Sequence, residues 1–123
     1  MMKISTDKAP AAIGPYSQGM IFGDLVFTSG QVPFDPTTME IVGNDIATQT
    51  DQVMKNIGAV LEAGGTKFEN AIKTLCFLSN MDDFAEFNKV YEKYFVNKPA
   101  RSCVAVKTLP RNVLVEVECI AHK

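Results

Sequence analysis

The chain has one histidine, His122, no tryptophan and only three cysteines, Cys76, Cys103 and Cys119. Each scarcity removes a class of function. A single histidine at the penultimate position supports neither a His-based metal centre nor a histidine-activated serine, and it argues against histidine-dependent ribonuclease chemistry. The three thiols are odd in number, far apart and set in apolar surroundings, as expected of reduced, buried side chains in a cytoplasmic protein. There is no C-x-x-C, H-E-x-x-H, G-x-G-x-x-G, P-loop or G-x-S-x-G string, so metal, nucleotide and serine-hydrolase chemistries all lack their signatures. No apolar run approaches the roughly 20 residues that span a bilayer. Residues 1–7 lack the apolar region of a signal peptide. Basic residues occur singly, and a formal charge of −2 leaves no basic face for nucleic acid.

What is present reads as one domain over residues 1–123, with 46% hydrophobic and 21% charged residues. That is enough apolar material for a core without a disulfide or metal staple. Two prolines and a glycine in 9–15 predict an extended or turning entry. Short β-type runs follow at 16–22 and 25–29, joined tightly by Gly23-Asp24. After a proline-rich loop at 33–38, Ile46, Val53, Ile57, Val60 and Leu61 form one stripe of a helix over 46–63. Gln49, Gln52, Lys55 and Glu62 lie off it, and Gly64-Gly65 is the stop. Residues 71–78 read as a central strand, and 82–95 as a second helix capped by Ser79 or Asn80. The aromatic stripe of that helix, Phe84, Phe87, Tyr91, Tyr94 and Phe95, is expected to pack on a sheet. Two last strands, 101–106 and 113–121, flank a turn at 109–112. The order β-β-α-β-α-β-β predicts an α+β fold with two helices on one face of a mixed sheet.

The last strand says what the other face does. Val113, Val115, Val117, Cys119 and Ala121 point one way, and Leu114, Glu116, Glu118, Ile120 and His122 the other. The first set belongs under the helices. Carboxylates interleaved with Leu and Ile on the second set imply an oligomer interface or a pocket wall.

Once the histidine, metal and nucleotide chemistries are set aside, Arg, Glu, Tyr and Ser remain. Arg101 opens a strand directly after Pro99-Ala100, and its planar fork of donors suits bidentate binding of a carboxylate. The spacing leaves equally open an internal ion pair with Glu116 or Glu118 across the last hairpin. Glu116, between two valines, can orient or deprotonate a water if it lines a pocket. Against that stand an ordinary surface role and the competing Glu118. Tyr16 offers a phenol donor or a core aromatic with a wet tip. Cys103 shares the Arg101 face and reads first as a packed thiol.

Five strings, Gly14-Pro15-Tyr16-Ser17-Gln18, Ser29-Gly30-Gln31, Pro99-Ala100-Arg101-Ser102, Leu109-Pro110 and Val115-Glu116-Val117-Glu118, occur in this order across nearly the whole chain. Together they resemble the Rid family, also called YjgF, the reactive intermediate deaminases. That resemblance implies a chorismate-mutase-like fold, a homotrimer with inter-subunit clefts and no cofactor. It also implies hydrolysis of enamines and imines, such as those derived from 2-aminoacrylate, to 2-keto acids and ammonia. Arg101 matches the family's carboxylate-binding arginine and Glu116 the acid that positions water. Tyr16, Ser29 and Gly30 match pocket positions, Asn88 an asparagine on the second helix, and Cys103 a residue whose backbone lines the cleft. The segment Phe95-Val96-Asn97-Lys98-Pro99 is shorter than in many relatives, with lysine where phenylalanine often stands, which bears on substrate size. A ligand-sensing trimer that binds small carboxylates without turnover is the alternative reading. A stress-activated holdase leaves no trace in sequence.

Overall fold

The computed structural model describes residues 1–123. Six strands, β1 (Met2–Ile4), β2 (Gly19–Phe22), β3 (Leu25–Thr28), β4 (Ala71–Leu78), β5 (Ala100–Ala105) and β6 (Val115–His122), form one sheet in the order β1-β2-β3-β6-β4-β5. Every neighbouring pair is antiparallel except β4 and β5, which run parallel on either side of helix α2 (Phe84–Tyr94). Helix α1 (Ile46–Ala63) connects β3 to β4. The two helices and the sheet enclose one apolar cluster. No helix is long and apolar enough to cross a membrane.

Helix α1 occupies the span its periodicity predicts. Asp45 caps it by accepting from the Thr48 amide at 3.0 Å, and Gly65, at φ 84°, takes the left-handed turn after it. Ile46, Val53, Ile57, Val60 and Leu61 are all buried. Gln49, placed off the stripe by pattern alone, is buried as well, because its side chain is a brace. Its amide donates to the Gly43 carbonyl at 3.1 Å, and its oxygen accepts from the Leu114 amide at 2.8 Å. Asn56, 1% exposed, does the same for the proline-rich loop, donating to the Val32 and Phe34 carbonyls at 2.9 and 3.0 Å. Helix-facing amides therefore satisfy loop carbonyls that have no strand partner.

The second helix begins two residues later than its pattern suggests, since Met81–Asp83 is a 3-10 turn. Asn80 caps that turn through the Asp82 amide. Phe87, Tyr91 and Phe95 are buried, and Phe68 packs on Tyr94 and Phe95 with centroids 5.4 and 5.0 Å away. The aromatic stripe is core, as expected.

Three details differ from the sequence reading. Strand β1 went unpredicted: three residues carry too little alternation to be read, and they become a strand only because β2 offers an edge. Residues 16–18 are not strand; β2 starts at Gly19, and Gln18 is occupied in holding the entry segment. Its side-chain amide donates to the Thr6 and Pro10 carbonyls at 2.9 and 2.8 Å, and its oxygen accepts from the Thr6 amide. The last two strands are not a hairpin either. Strand β4 lies between β5 and β6, so an ion pair of Arg101 with Glu116 or Glu118 has no cross-strand geometry.

Replacing Asn56 with Ala removes the side-chain donor from both the Val32 and Phe34 carbonyls, leaving them only the Phe34 amide and a long 3.5 Å contact from Gln52. We expect a loss of about 2–3 kcal/mol in unfolding free energy, read from urea midpoints at fixed protein concentration.

Candidate active site

Strand β6 distributes its side chains by alternation. Val115, Val117, Cys119 and Ala121 are buried under the helices, while Glu116, Glu118 and Ile120 are half-buried on the opposite face. Glu116 stands beside segment 29–31, which runs antiparallel to β6 through reciprocal backbone bonds between Gln31 and Val117 at 2.8 and 3.2 Å. Gly30 lies directly against the carboxylate. A Cβ built there would fall 2.3 Å from Glu116 Oε2, so only glycine permits the approach. Ser29 donates its hydroxyl to the Ser17 carbonyl at 2.5 Å, tying the Tyr16-bearing segment to the end of β3.

These residues wall a cavity of about 550 Å³ that contains Tyr16, Ser29, Gly30 and Glu116. Tyr16 is 54% exposed, so it is not a core aromatic; its ring rests over Gly14 and its hydroxyl is free. Burial raises the Glu116 carboxyl above its ordinary value, and the nearby Glu118 pushes the same way. A carboxylate in that condition holds a proton more readily than a solvated one.

Arg101 is elsewhere. It lies on the helix face of β5, with its guanidinium carbon 4.9 Å from the Tyr91 ring centre and 5.4 Å from that of Phe84. One of its nitrogens donates to Asn88 Oδ1 at 2.8 Å. Tyr91 is itself fixed, sharing a 2.7 Å hydrogen bond with the buried Thr74 hydroxyl. Arg101 makes no ion pair with any carboxylate of the chain. It lines a second cavity, of about 360 Å³, together with Asn88, Tyr91, Lys98 and Pro99. Cys103, on the same face, packs against the core, and burial outweighs the neighbouring arginine to raise its thiol above the usual range. The packed-thiol reading describes it.

The predicted site residues thus fall into two groups within one chain. Tyr16, Ser29, Gly30 and Glu116 share one cavity; Arg101 and Asn88 share another, with Cys103 beside them on β5. Sequence reasoning missed the walls of the first cavity that come from the loops, chiefly Phe34, Met39 and Arg111. The only signal available for them was the pair of turn-rich stretches at 33–38 and 109–112.

The endoribonuclease L-PSP family model, which describes the YjgF/Rid proteins, matches residues 6–123. The chain belongs to the YjgF/Rid family. A Lactococcus lactis protein named provisionally as a regulator, AldR, is 54% identical over 99% of this chain and 98% of its own length. The 2-iminobutanoate/2-iminopropanoate deaminase of Salmonella typhimurium is 46% identical over 96% of this chain and 94% of its own. Escherichia coli TdcF, solved with bound serine, superposes with a TM-score of 0.95 at 41% identity, covering 100% of this chain and 99% of that one. The α+β, chorismate-mutase-like fold expected from the resemblance is the fold found.

Substituting Gly30 with Ala should displace Glu116 while leaving the sheet intact, because the clashing atoms end a flexible side chain. We expect about a tenfold or greater loss of turnover or ligand affinity, with a melting temperature within a few degrees of wild type, by calorimetry and activity assay on one preparation.

Proposed function

We propose that this protein is an enamine/imine deaminase. It hydrolyses 2-iminobutanoate, 2-iminopropanoate and related imines, among them those derived from 2-aminoacrylate, to 2-keto acids and ammonia, in a cleft completed between copies of the chain. The observation that carries the reading is Arg101, immobilised by Asn88 and two aromatic rings yet without a carboxylate partner. A guanidinium held ready and unpaired suits a ligand carboxylate. The half-buried Glu116 with its raised pKa suits a group that takes a proton from water near neutral pH.

In mechanism, Arg101 binds the substrate carboxylate and fixes the planar imine. Glu116 accepts a proton from a water as that water attacks the imine carbon. The imine nitrogen takes up a proton to give the neutral carbinolamine. Glu116 then returns its proton to that nitrogen, which leaves as ammonia while the hydroxyl gives up its own proton and becomes the keto carbonyl. Tyr16 supplies a phenol at the mouth of the cleft, and Ser29, Gly30 and the Cys103 backbone line it. Imines hydrolyse readily in water, so orientation and one base supply most of what is needed. The reaction so written calls for no cofactor.

Arg101 and Glu116 lie on opposite faces of the sheet in one chain, so the reading brings Arg101 of one copy to Glu116 of the next. Ring assembly of three copies matches two unlike surfaces in this way without leaving either exposed. Leu114 and Ile120, half-buried on the face beside Glu116, suit such an interface. Three unpaired thiols suit the reducing cytoplasm.

The test couples the protein to a pyridoxal-phosphate serine or threonine dehydratase and follows keto-acid release. Wild type should accelerate release, and Arg101→Ala should abolish the gain with the assembly unchanged by light scattering. The rate should fall as pH drops through the raised Glu116 pKa, since the base must be ionised. Mixing and reassembling Arg101→Ala with Glu116→Gln should restore about a quarter of the sites; no recovery rules out the shared cleft. The serine bound by TdcF and the regulatory name of AldR favour one second reading, a carboxylate-sensing assembly without turnover. Keto-acid binding without acceleration across several substrates would select it.

A further inference from the structure

The cavity beside Glu116 contains a cation that the proposed reaction does not use. Arg111, in the 3-10 turn Pro110–Asn112, is the only basic side chain among the residues that line it. It is held from two sides. One nitrogen donates to the Met39 carbonyl at 3.0 Å, and the guanidinium carbon stands 4.9 Å from the Phe34 ring centre. Its backbone is strained, at φ 52°, and it is followed by Asn112 at φ 58°; Met39, to which it bonds, lies at φ 61°. Three non-glycine residues in the left-handed region within one pair of loops is an uncommon expense of conformational energy. The result is a guanidinium aimed along a cavity wall with no carboxylate paired to it.

The cavity that both Arg111 and Glu116 line is also walled by the apolar side chains Val32, Phe34, Met39 and Pro110. The two charged groups form no ion pair with each other. The cavity, about 550 Å³, is far larger than a three- or four-carbon acid fills. An apolar wall and a fixed guanidinium match a methylene chain that ends in an anion.

We propose that Arg111 is a specificity-determining residue that receives a second, distal carboxylate, so that the site accepts dicarboxylic 2-imino acids and favours them over monocarboxylic ones. This assignment rests on the imine-deaminase reading, in which Arg101 takes the first carboxylate and Glu116 serves the reacting carbon. Arg111 is exposed, so its contribution is modest: an exposed charge pair corresponds to about a fivefold change in affinity.

The test is calorimetric titration of the full-length protein with two stable keto-acid probes, 2-oxobutanoate and 2-oxoglutarate. Wild type should bind 2-oxoglutarate about fivefold more tightly. In Arg111→Asn, chosen because asparagine tolerates the left-handed backbone, the ratio of the two dissociation constants should fall to about one. Arg111→Lys should retain part of the preference, and Arg101→Gln should weaken both ligands. A wild-type ratio at or below one, or a preference that survives Arg111→Asn, overturns the assignment. Because the readout is binding, the expected pattern in a protein that fails to speed keto-acid release upholds Arg111 and sinks the catalytic reading instead.

Discussion

The structure depends on the two-residue period of β6. That strand lies inside the sheet, between β3 and β4, so its inward residues must be apolar and its outward ones are free to differ. Val115, Val117, Cys119 and Ala121 form the floor on which α1 rests. The same alternation puts Glu116 on the face away from the helices, while Arg101, two strands away on β5, falls on the helix face beside α2. A one-residue slip of β6 would bury Glu116 and Glu118 under α1 and expose three branched or sulphur-bearing side chains. Burying two unpaired carboxylates costs more than the sheet gains from pairing, so register and site location are fixed by the same term.

Rigidity at the two half-sites comes from unlike sources. Arg101 is fixed by a relay of contacts that begins in the core: Thr74 holds the Tyr91 hydroxyl, and Tyr91 with Phe84 supports the guanidinium that Asn88 then orients. Each member of the relay comes from a strand or helix, so the arginine is as well placed as the core itself. The Glu116 cavity is walled mostly by loops, and buried amides do the fixing there. Gln18 gathers the entry segment and Asn56 the stretch 32–34, while Gln49 ties Gly43 to Leu114 outside the cavity lining. The first two side chains convert irregular backbone into a wall without regular hydrogen bonding.

That difference explains what the amino-acid order disclosed. Helix α1 was legible to its last residue because its apolar period and its paired glycines agree. The face of Glu116 followed from alternation alone, and Arg101 stood out as a cation opening a strand of small and apolar residues. What period could not reveal was set by distant partners. Strand β1 exists only through pairing with β2, and Gln49 is buried because Gly43 and Leu114 need its amide. Arg111 is held at the cavity by the Met39 carbonyl, which accepts its hydrogen bond from 72 positions away in the chain. Adjacency of β5 and β6 in sequence suggested a hairpin, and the parallel crossover through α2 removed it.

A division of the site between two faces has a chemical logic. An arginine and a glutamate placed together in one chain would pair with each other, and the ion pair would have to be broken before a substrate carboxylate could bind. Keeping them on opposite faces leaves the guanidinium with unused donors and the carboxyl with a raised pKa, two conditions that an internal salt bridge would abolish. Under the proposed reading, the cost is that neither half is useful by itself. On the same reading, the contact that brings a second copy against the sheet also dries the cavity and supplies the opposite charge, so assembly and active-site formation become one event. The substrate then arrives as the group that separates the two charges, its carboxylate on the arginine and its electrophilic carbon toward the glutamate.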